Sequence, residues 1–366
     1  MTDAPLIVGA GPTGLAAALF LSRRGIASRI IDSAAGPVTT SRALGVNPRT
    51  LAILKGTGVE DEITAEGLPI STFHLHSNRK SVARVEIPYK AIGAEQPMHV
   101  LPQARTEALL TRALAERGIE VERGKALTAL SQDETGVTVT AGGETIRASI
   151  LLGADGAHSA TRHALNIAFP GDAMDADWRL MDVELTGPDP DAAWIDFRED
   201  GPFVALPFNN RLWRLIGFGE PLQNRIPQGW TTGKVEWISD FHVSNRLAER
   251  MNVGRVCLAG DAAHIHSPIG GRGMNLGIED AFIWAHCAEA YLKGDAGKLA
   301  VFGDNRHAVD ALVVQHVKRL TATVSATGAA ATLVRRLTIP LLAGFMSPRV
   351  AVARMMLGLD HPLVLP

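Results

Sequence analysis

The sequence predicts an α/β fold: an open, largely parallel sheet wound with helices, interleaved with an antiparallel sheet and closed by helices at its C-terminal end. Three observations predict it. The apolar strand Leu6-Ile7-Val8 runs directly into Gly9-Ala10-Gly11-Pro12-Thr13-Gly14 and then into a segment rich in Ala and Leu. Residues 178–218 read as successive strands broken by the turn residues Gly201-Pro202 and Asn209-Asn210. From Gly277 onward the pattern is helical.

The first element is a buried parallel strand, because residues 6–10 are small and apolar without alternation. Gly9, Gly11 and Gly14 follow at the G-x-G-x-x-G spacing. Gly9 permits the tight turn, Gly11 lets backbone approach a diphosphate, and Gly14 lets a helix pack on the strand. Residues 15–24 form that helix and Gly25 stops it. Its N-terminal amides and dipole suit an anion. Residues 28–31 make the second strand, and Asp32 at its end can take ribose hydroxyls. The motif is a Rossmann-like dinucleotide site; alone it does not separate FAD from NAD(P).

Further along, residues 106–117 read as a helix with Thr106 as N-cap and Gly118 as its close. Residues 136–140 and 145–152 read as strands, the second delivering Asp155 to the carboxyl end of the parallel sheet. Residues 178–185, 193–198, 203–208 and 211–218 form the antiparallel sheet, with 73–76 and 81–87 as added edge strands. Residues 255–261 are another buried strand, ending in Asp261.

Composition narrows the class. A chain of 366 residues makes roughly two domains by length. A net charge of −2 offers no broad basic surface for nucleic acid. Two cysteines, Cys257 and Cys287, need no disulfide framework and fit a reducing, cytoplasmic setting. The first strand begins at residue 6, so no signal peptide is expected. Residues 337–359 are apolar, but Pro340, Pro348, Arg349 and Arg354 make them a poor membrane span; an amphipathic or packed helical end is expected. His264 and His266 form an H-x-H pair with no third ligand at metal-binding spacing, so no metal is expected.

Two more segments join the first: Gly153-Ala154-Asp155-Gly156-Ala157-His158-Ser159-Ala160-Thr161-Arg162, and Gly260-Asp261-Ala262-Ala263-His264 running on through Ser267-Pro268-Ile269-Gly270-Gly271-Arg272-Gly273-Met274-Asn275. In this order and spacing the three resemble the class A, single-component FAD-dependent aromatic hydroxylases of the para-hydroxybenzoate hydroxylase fold. The likeness is nearest to the phenol, hydroxyphenylpropionate and polyketide hydroxylase branch, without its thioredoxin-like C-terminal domain. The resemblance implies a Rossmann-like FAD-binding domain from 1–72, 98–172 and 250–290, a substrate domain with an antiparallel sheet from 73–97 and 173–249, and C-terminal helices over 291–366.

The same resemblance implies site residues. Besides Gly9, Gly11, Pro12, Thr13, Gly14 and Asp32, FAD would meet Arg42 at its phosphates or ring, and Gln103 at the ribityl chain. Asp155 would look to the pyrophosphate, with Arg162 partly a brace, and Asp261 would contact the ribityl or ribose. Pro268 would face the flavin edge where oxygen is activated; Gly270, Gly273, Met274 and Asn275 would bring backbone amides to the reduced ring. Pro268, Gly270 and Gly273 are thus the catalytic candidates, and His76, Tyr89 and Arg214 are pocket candidates read from their strands and loops. The implied activity is a monooxygenase using NADH or NADPH as a transient co-substrate and O2, through a flavin C4a-hydroperoxide, on a phenolic or polyketide-type aromatic. Epoxidation, Baeyer–Villiger insertion and N-hydroxylation are neighbouring outcomes, and a non-catalytic FAD-binding protein is the reading from another class. A homodimer is left open.

One departure bears on the pocket. Residues 220–234 make a short connection, in which Pro221, Pro227 and Gly229 break any helix. An incompletely covered pocket is expected, one that couples better to a multi-ring substrate than to a simple phenol.

Overall fold

The computed structural model describes residues 4–38, 43–174 and 176–366. Its first large sheet has six strands, in the order Asn252–Val253, Val256–Leu258, Leu151–Gly153, Leu6–Val8, Arg29–Ile31, Val121–Glu122. Every neighbouring pair is parallel except the outermost, Asn252–Val253 with Val256–Leu258. Strands far apart in sequence are therefore neighbours in space. Leu6 pairs with Leu151, and Leu151 with Val256. The three motifs leave the carboxyl ends of three adjacent strands.

Helices Pro12–Ser22, Gln103–Ala115 and Gly273–Leu292 pack on one face of this sheet, around Leu15, Phe20, Leu109, Trp284 and Phe302. The helix expected from Thr106 begins three residues earlier, at Gln103, because Pro102 already has the extended backbone of an N-cap and nothing breaks the turn between. The other face is covered by a three-stranded antiparallel sheet, Leu127–Gln132, Val137–Ala141 and Glu144–Ala148. The single strand expected over 145–152 is thus two. Glu144–Ala148 serves the small sheet, and Leu151–Gly153 enters the parallel one after a break at Ser149 and Ile150.

The second large sheet has seven strands: Thr231–Phe241, Trp178–Thr186, Leu212–Gly217, Gly201–Pro207, Ala192–Arg198, Thr72–Ser77 and Lys80–Glu86. It is antiparallel as expected, save that Ala192–Arg198 and Thr72–Ser77 run parallel. Those two strands arrive on separate visits of the chain, so no hairpin dictates their direction. Alternation gives the sheet two distinct faces. On the near face Phe73, Ala193 and Leu206 pack with Leu44, Val100, Ala353 and Leu357, so this side meets the rest of the molecule. On the far face Met181, Val183, Phe203, Ala205, Trp213 and Leu215 form a core of their own.

The 220–234 connection belongs to that far face. It contains a short helix, Leu222–Arg225, despite its flanking prolines. Leu222, Ile226 and Trp230 join the far-face cluster. Arg225, fully buried, donates to the Gly201 and Pro202 carbonyls at 2.9 and 3.1 Å and pairs with Asp200. The length of this connection therefore governs cover on the side away from the near face, and the expectation of an open pocket does not follow from it.

Candidate active site

The glycines of the first turn divide their work. Gly9 has φ +104°, and a Cβ there would strike the Ala154 backbone; a Cβ on Gly14 would overlap the Gly9 carbonyl oxygen. Both glycines serve close packing. Beyond its own chain neighbours and helix backbone, Gly11 has no atom of the described residues within 4 Å of where its Cβ would stand, so it faces open space among them. Thr13 ties the first turn to the third: Gly260 and Gly277 both lie so close to its hydroxyl that neither could carry a side chain. Helices Pro12–Ser22 and Gly273–Leu292 meet there, and neither start is capped by a side chain. Two sets of first-turn amides thus lack a side-chain partner, a donor set suited to a diphosphate and to an electron-rich ring. The open cradle at Gly11 and these donors fit FAD.

The other expected contacts are distributed unevenly. Asp32 accepts from Ala10 N at 2.6 Å and Ala34 N at 2.7 Å, so its carboxylate already bonds the glycine turn. Gln103 accepts from Ala43 N at 3.3 Å and donates to buried Glu107 at 2.8 Å. Burial raises the Glu107 pKa. Asp155 accepts from Ser159 Oγ at 2.5 Å and from Thr161 N and Oγ1 at 2.9 and 3.0 Å, bonds that fold its own turn. Arg162 donates to Ala262 O at 2.9 Å and to Ala157 O at 3.0 Å, bracing the second turn against the third. Arg42 lies outside the described residues.

In the third turn, Asp261 and Pro268 are exposed while Met274 and Asn275 are buried. Gly270 and Gly271 take φ +89° and +62° ahead of the helix that starts at Gly273. Asn275 spends its whole side chain within the protein, on three backbone groups and one hydroxyl. Its Oδ1 accepts from Asn47 N at 2.9 Å and Thr50 Oγ1 at 2.7 Å, and its Nδ2 donates to Gly45 O at 2.8 Å and Gly271 O at 2.7 Å.

Beneath this turn lies a buried charge network that the sequence reading missed. Arg306 donates to Glu279 at 2.6 Å, Asp280 at 2.7 Å and Asp310 at 2.9 Å, with every partner at most 3% exposed. Asp280 also accepts from Gly260 N at 2.9 Å and contacts His264 Nε2 at 2.7 Å. Burial alone would lower the His264 pKa; Asp310 and Asp280 outweigh it and hold it up to about 9. Burial pushes the Asp310 carboxyl up to about 7. The network continues through His361, 2.9 Å from Glu279, to Asp360, which accepts from Arg272 at 2.9 Å. Ligand atoms of His264, Asp280 and Asp310 lie within 4.8 Å of one another, as a metal site would require. Arg306 is already bonded to both carboxylates and supplies the positive charge. Two signals were available: adjacent acids in an apolar helix at Glu279-Asp280, and the i,i+4 pair Arg306 and Asp310.

The three pocket candidates do not share a wall. Arg214 is buried on the near face, forked onto Asp182 by two 2.8 Å bonds and set between the rings of Phe208 and Trp237. His76 lies on the far face, where it stacks on Trp194 at 5.2 Å beside His74. Tyr89 packs in the near-face cluster, but its hydroxyl donates to Ile70 O at 2.7 Å and accepts from Met98 N at 3.1 Å; burial pushes its pKa up to about 12.

Comparison with known proteins agrees with this geometry. A family model described as "FAD binding domain" matches residues 2–317. The 6-methylpretetramide 4-monooxygenase of Streptomyces rimosus is 32% identical, over 89% of this chain and 63% of that protein. A rifampicin monooxygenase of Streptomyces venezuelae is 31% identical, over 86% of this chain and 70% of that protein. The chain thus spans about two thirds of the length of these relatives. The crystal structure of p-nitrophenol 4-monooxygenase PnpA from Pseudomonas putida superposes with a TM-score of 0.88, at 22% identity over 98% of both chains, which shows the shared fold.

Proposed function

The chain belongs to the FAD-binding-domain family, and from that premise we propose that it is an NAD(P)H-dependent monooxygenase that hydroxylates a phenolic or polyketide-type aromatic. One observation carries the reading: two helix starts without side-chain caps, at Pro12 and Gly273, meet through Thr13 at the carboxyl end of the parallel sheet, on chain leaving strands that flank Leu151–Gly153. FAD held there would supply the redox chemistry that couples nicotinamide oxidation to oxygen insertion.

The protein's own residues then have separable tasks. Amides after Gly11 would hold the FAD diphosphate, and Asp32, Gln103 and Asp261 would orient its ribose and ribityl hydroxyls. Gly273 and its neighbours would offer the positive end of their helix dipole to negative charge on the flavin. Pro268 and Gly270 would shape the turn beside the flavin. The near face of the seven-stranded sheet walls the substrate. There the Arg214–Asp182 pair, between Phe208 and Trp237, is a closed and dry element that keeps water from the reacting atoms. Tyr89 does not serve as a base, since its hydroxyl is committed and its pKa raised. A multi-ring substrate is supported by the names of the relatives, which act on 6-methylpretetramide and rifampicin. A cytoplasmic setting is supported by two buried, unpaired cysteines.

The experiment is a product screen by mass spectrometry under labelled O2, with NAD(P)H and multi-ring phenolics, after chromatography of the released flavin. FAD release, substrate-stimulated NAD(P)H oxidation and one labelled oxygen per product are expected. FMN or no flavin after reconstitution defeats the cofactor assignment, and oxidation without labelled product defeats the oxygen transfer.

A further inference from the structure

We propose that the C-terminal helical pair Ala329–Gly344 and Met346–Met356 is a docking surface for an anionic lipid bilayer, on which the protein lies without spanning it. The first helix touches the molecule along one side only. Arg335, 6% exposed, donates to the Thr323 and Ala326 carbonyls at 2.7 and 2.6 Å and stands over the Phe197 ring, and Thr332 is buried beside it. At about 100° per residue, half-buried Ile339 and Ala343 share that side. The same spacing sends Leu333, Val334, Leu337, Leu341 and Phe345 to the opposite side, where they are 57–67% exposed. Soluble surfaces scatter such residues singly, whereas here they form one stripe.

The helix after Phe345 turns away by 102°, with Met346 and Val352 also exposed. Among the described residues no single helix is long and apolar enough to cross a membrane, so the geometry suits lying in the interface.

Charge decides what the stripe meets. Residues 311–359 contain six Lys and Arg and no Asp or Glu, in a chain with 36 basic and 38 acidic residues. Arg319, Arg336 and Arg354 are exposed and join no ion pair among the described residues. The strand beneath, Lys80–Glu86, adds Lys80 and Arg84 against one acid, Glu86. A second copy docked here through a two-fold axis would bring this acid-free segment against itself. An anionic bilayer offers both complements: headgroup phosphates for the arginines and an acyl boundary for the leucines.

The test is co-sedimentation of the FAD-loaded protein with vesicles of equal phosphatidylglycerol and phosphatidylcholine, and with phosphatidylcholine alone. Binding to the anionic vesicles is expected to be at least about tenfold tighter and to weaken with salt. The double variant Leu337→Glu, Leu341→Glu should lose that binding by at least about tenfold while keeping its flavin content and unfolding midpoint. Arg336→Glu with Arg354→Glu should remove the preference for anionic lipid. The proposal is overturned if the parent ignores anionic vesicles, or if the leucine variant binds them equally well. It is also overturned if light scattering finds a dimer that the leucine variant splits, with no vesicle binding by the parent. The readout is lipid binding, so its failure leaves the proposed activity untouched.

Discussion

The two helix starts that face each other at the candidate site are built in opposite ways. At Pro12 the support is mainly steric: Gly9 and Gly14 let strand, turn and helix close to backbone contact, and a single carboxylate, Asp32, accepts from Ala10 N. At Gly273 the support is electrostatic and comes from a distance. Asp280 holds the Gly260 amide from one helix, Arg306 donates to Asp280 from the next and is itself held by Asp310, and Asp360 holds Arg272 from near the end of the chain. Both leave helix amides without a side-chain cap. The difference teaches that an anion-binding helix start can rest on small residues or on buried charges. The second kind makes the site depend on a buried network of several charges.

The strongest way to break the comparison is to remove the cation of the second support. Arg306→Met leaves Glu279, Asp280 and Asp310 buried without their shared partner. An unfolding free-energy loss of about 3–5 kcal/mol is expected in urea titrations of the flavin-free protein. A loss below about 1 kcal/mol would mean that the network is dispensable and the two supports are not different in kind.

A second test uses pH. His264 is held up to about 9 in the folded chain, against an ordinary value of 6.5. Its contribution to stability is complete below about 6.5 and is lost as pH rises through about 9, because over that window the folded state binds the extra proton. Unfolding measured at steps between these limits should show a decline of about 2–3 kcal/mol. His264→Asn should flatten that decline, and an unchanged slope in the variant would show that the imidazole is not charged.

The smallest effects sharpen the steric side. Gly14→Ala forces a methyl into the Gly9 carbonyl, for an expected cost of about 1–3 kcal/mol in stability and weakened FAD binding. Gly11→Ala has room for its methyl, so the flavin-free protein should unfold as the parent does, while FAD titration shows a loss of about tenfold or more. Equal stability losses in both variants would erase the distinction between a glycine that serves packing and one that serves the ligand.

Much of this molecule is local and was therefore legible. The glycine turn, its strand and helix, the sheet strands from Trp178 to Gly217 and the turns at Asp155 and Asp261 are written in short spacings, because steric and periodic constraints act between residues a few positions apart. The family follows from the order of three such segments. What the sequence could not decide required partners far along the chain. Residues 145–152 divide between two sheets although their pattern is continuous. His76 falls on the far face and Arg214 on the near face, because strand register, not residue type, sets direction. Asn275 and Asp155 bind nearby backbone and hydroxyl groups, since hydrogen-bonding capacity is spent on whatever the fold brings within reach. The sequence by itself determined the dinucleotide turn and the alternation of parallel and antiparallel sheets. Only the tertiary structure decided that Arg306, Glu279, Asp280, Asp310 and His361 meet beneath the third turn, because a buried charge is tolerable only where its counter-charges converge, and that convergence is a property of the packed chain.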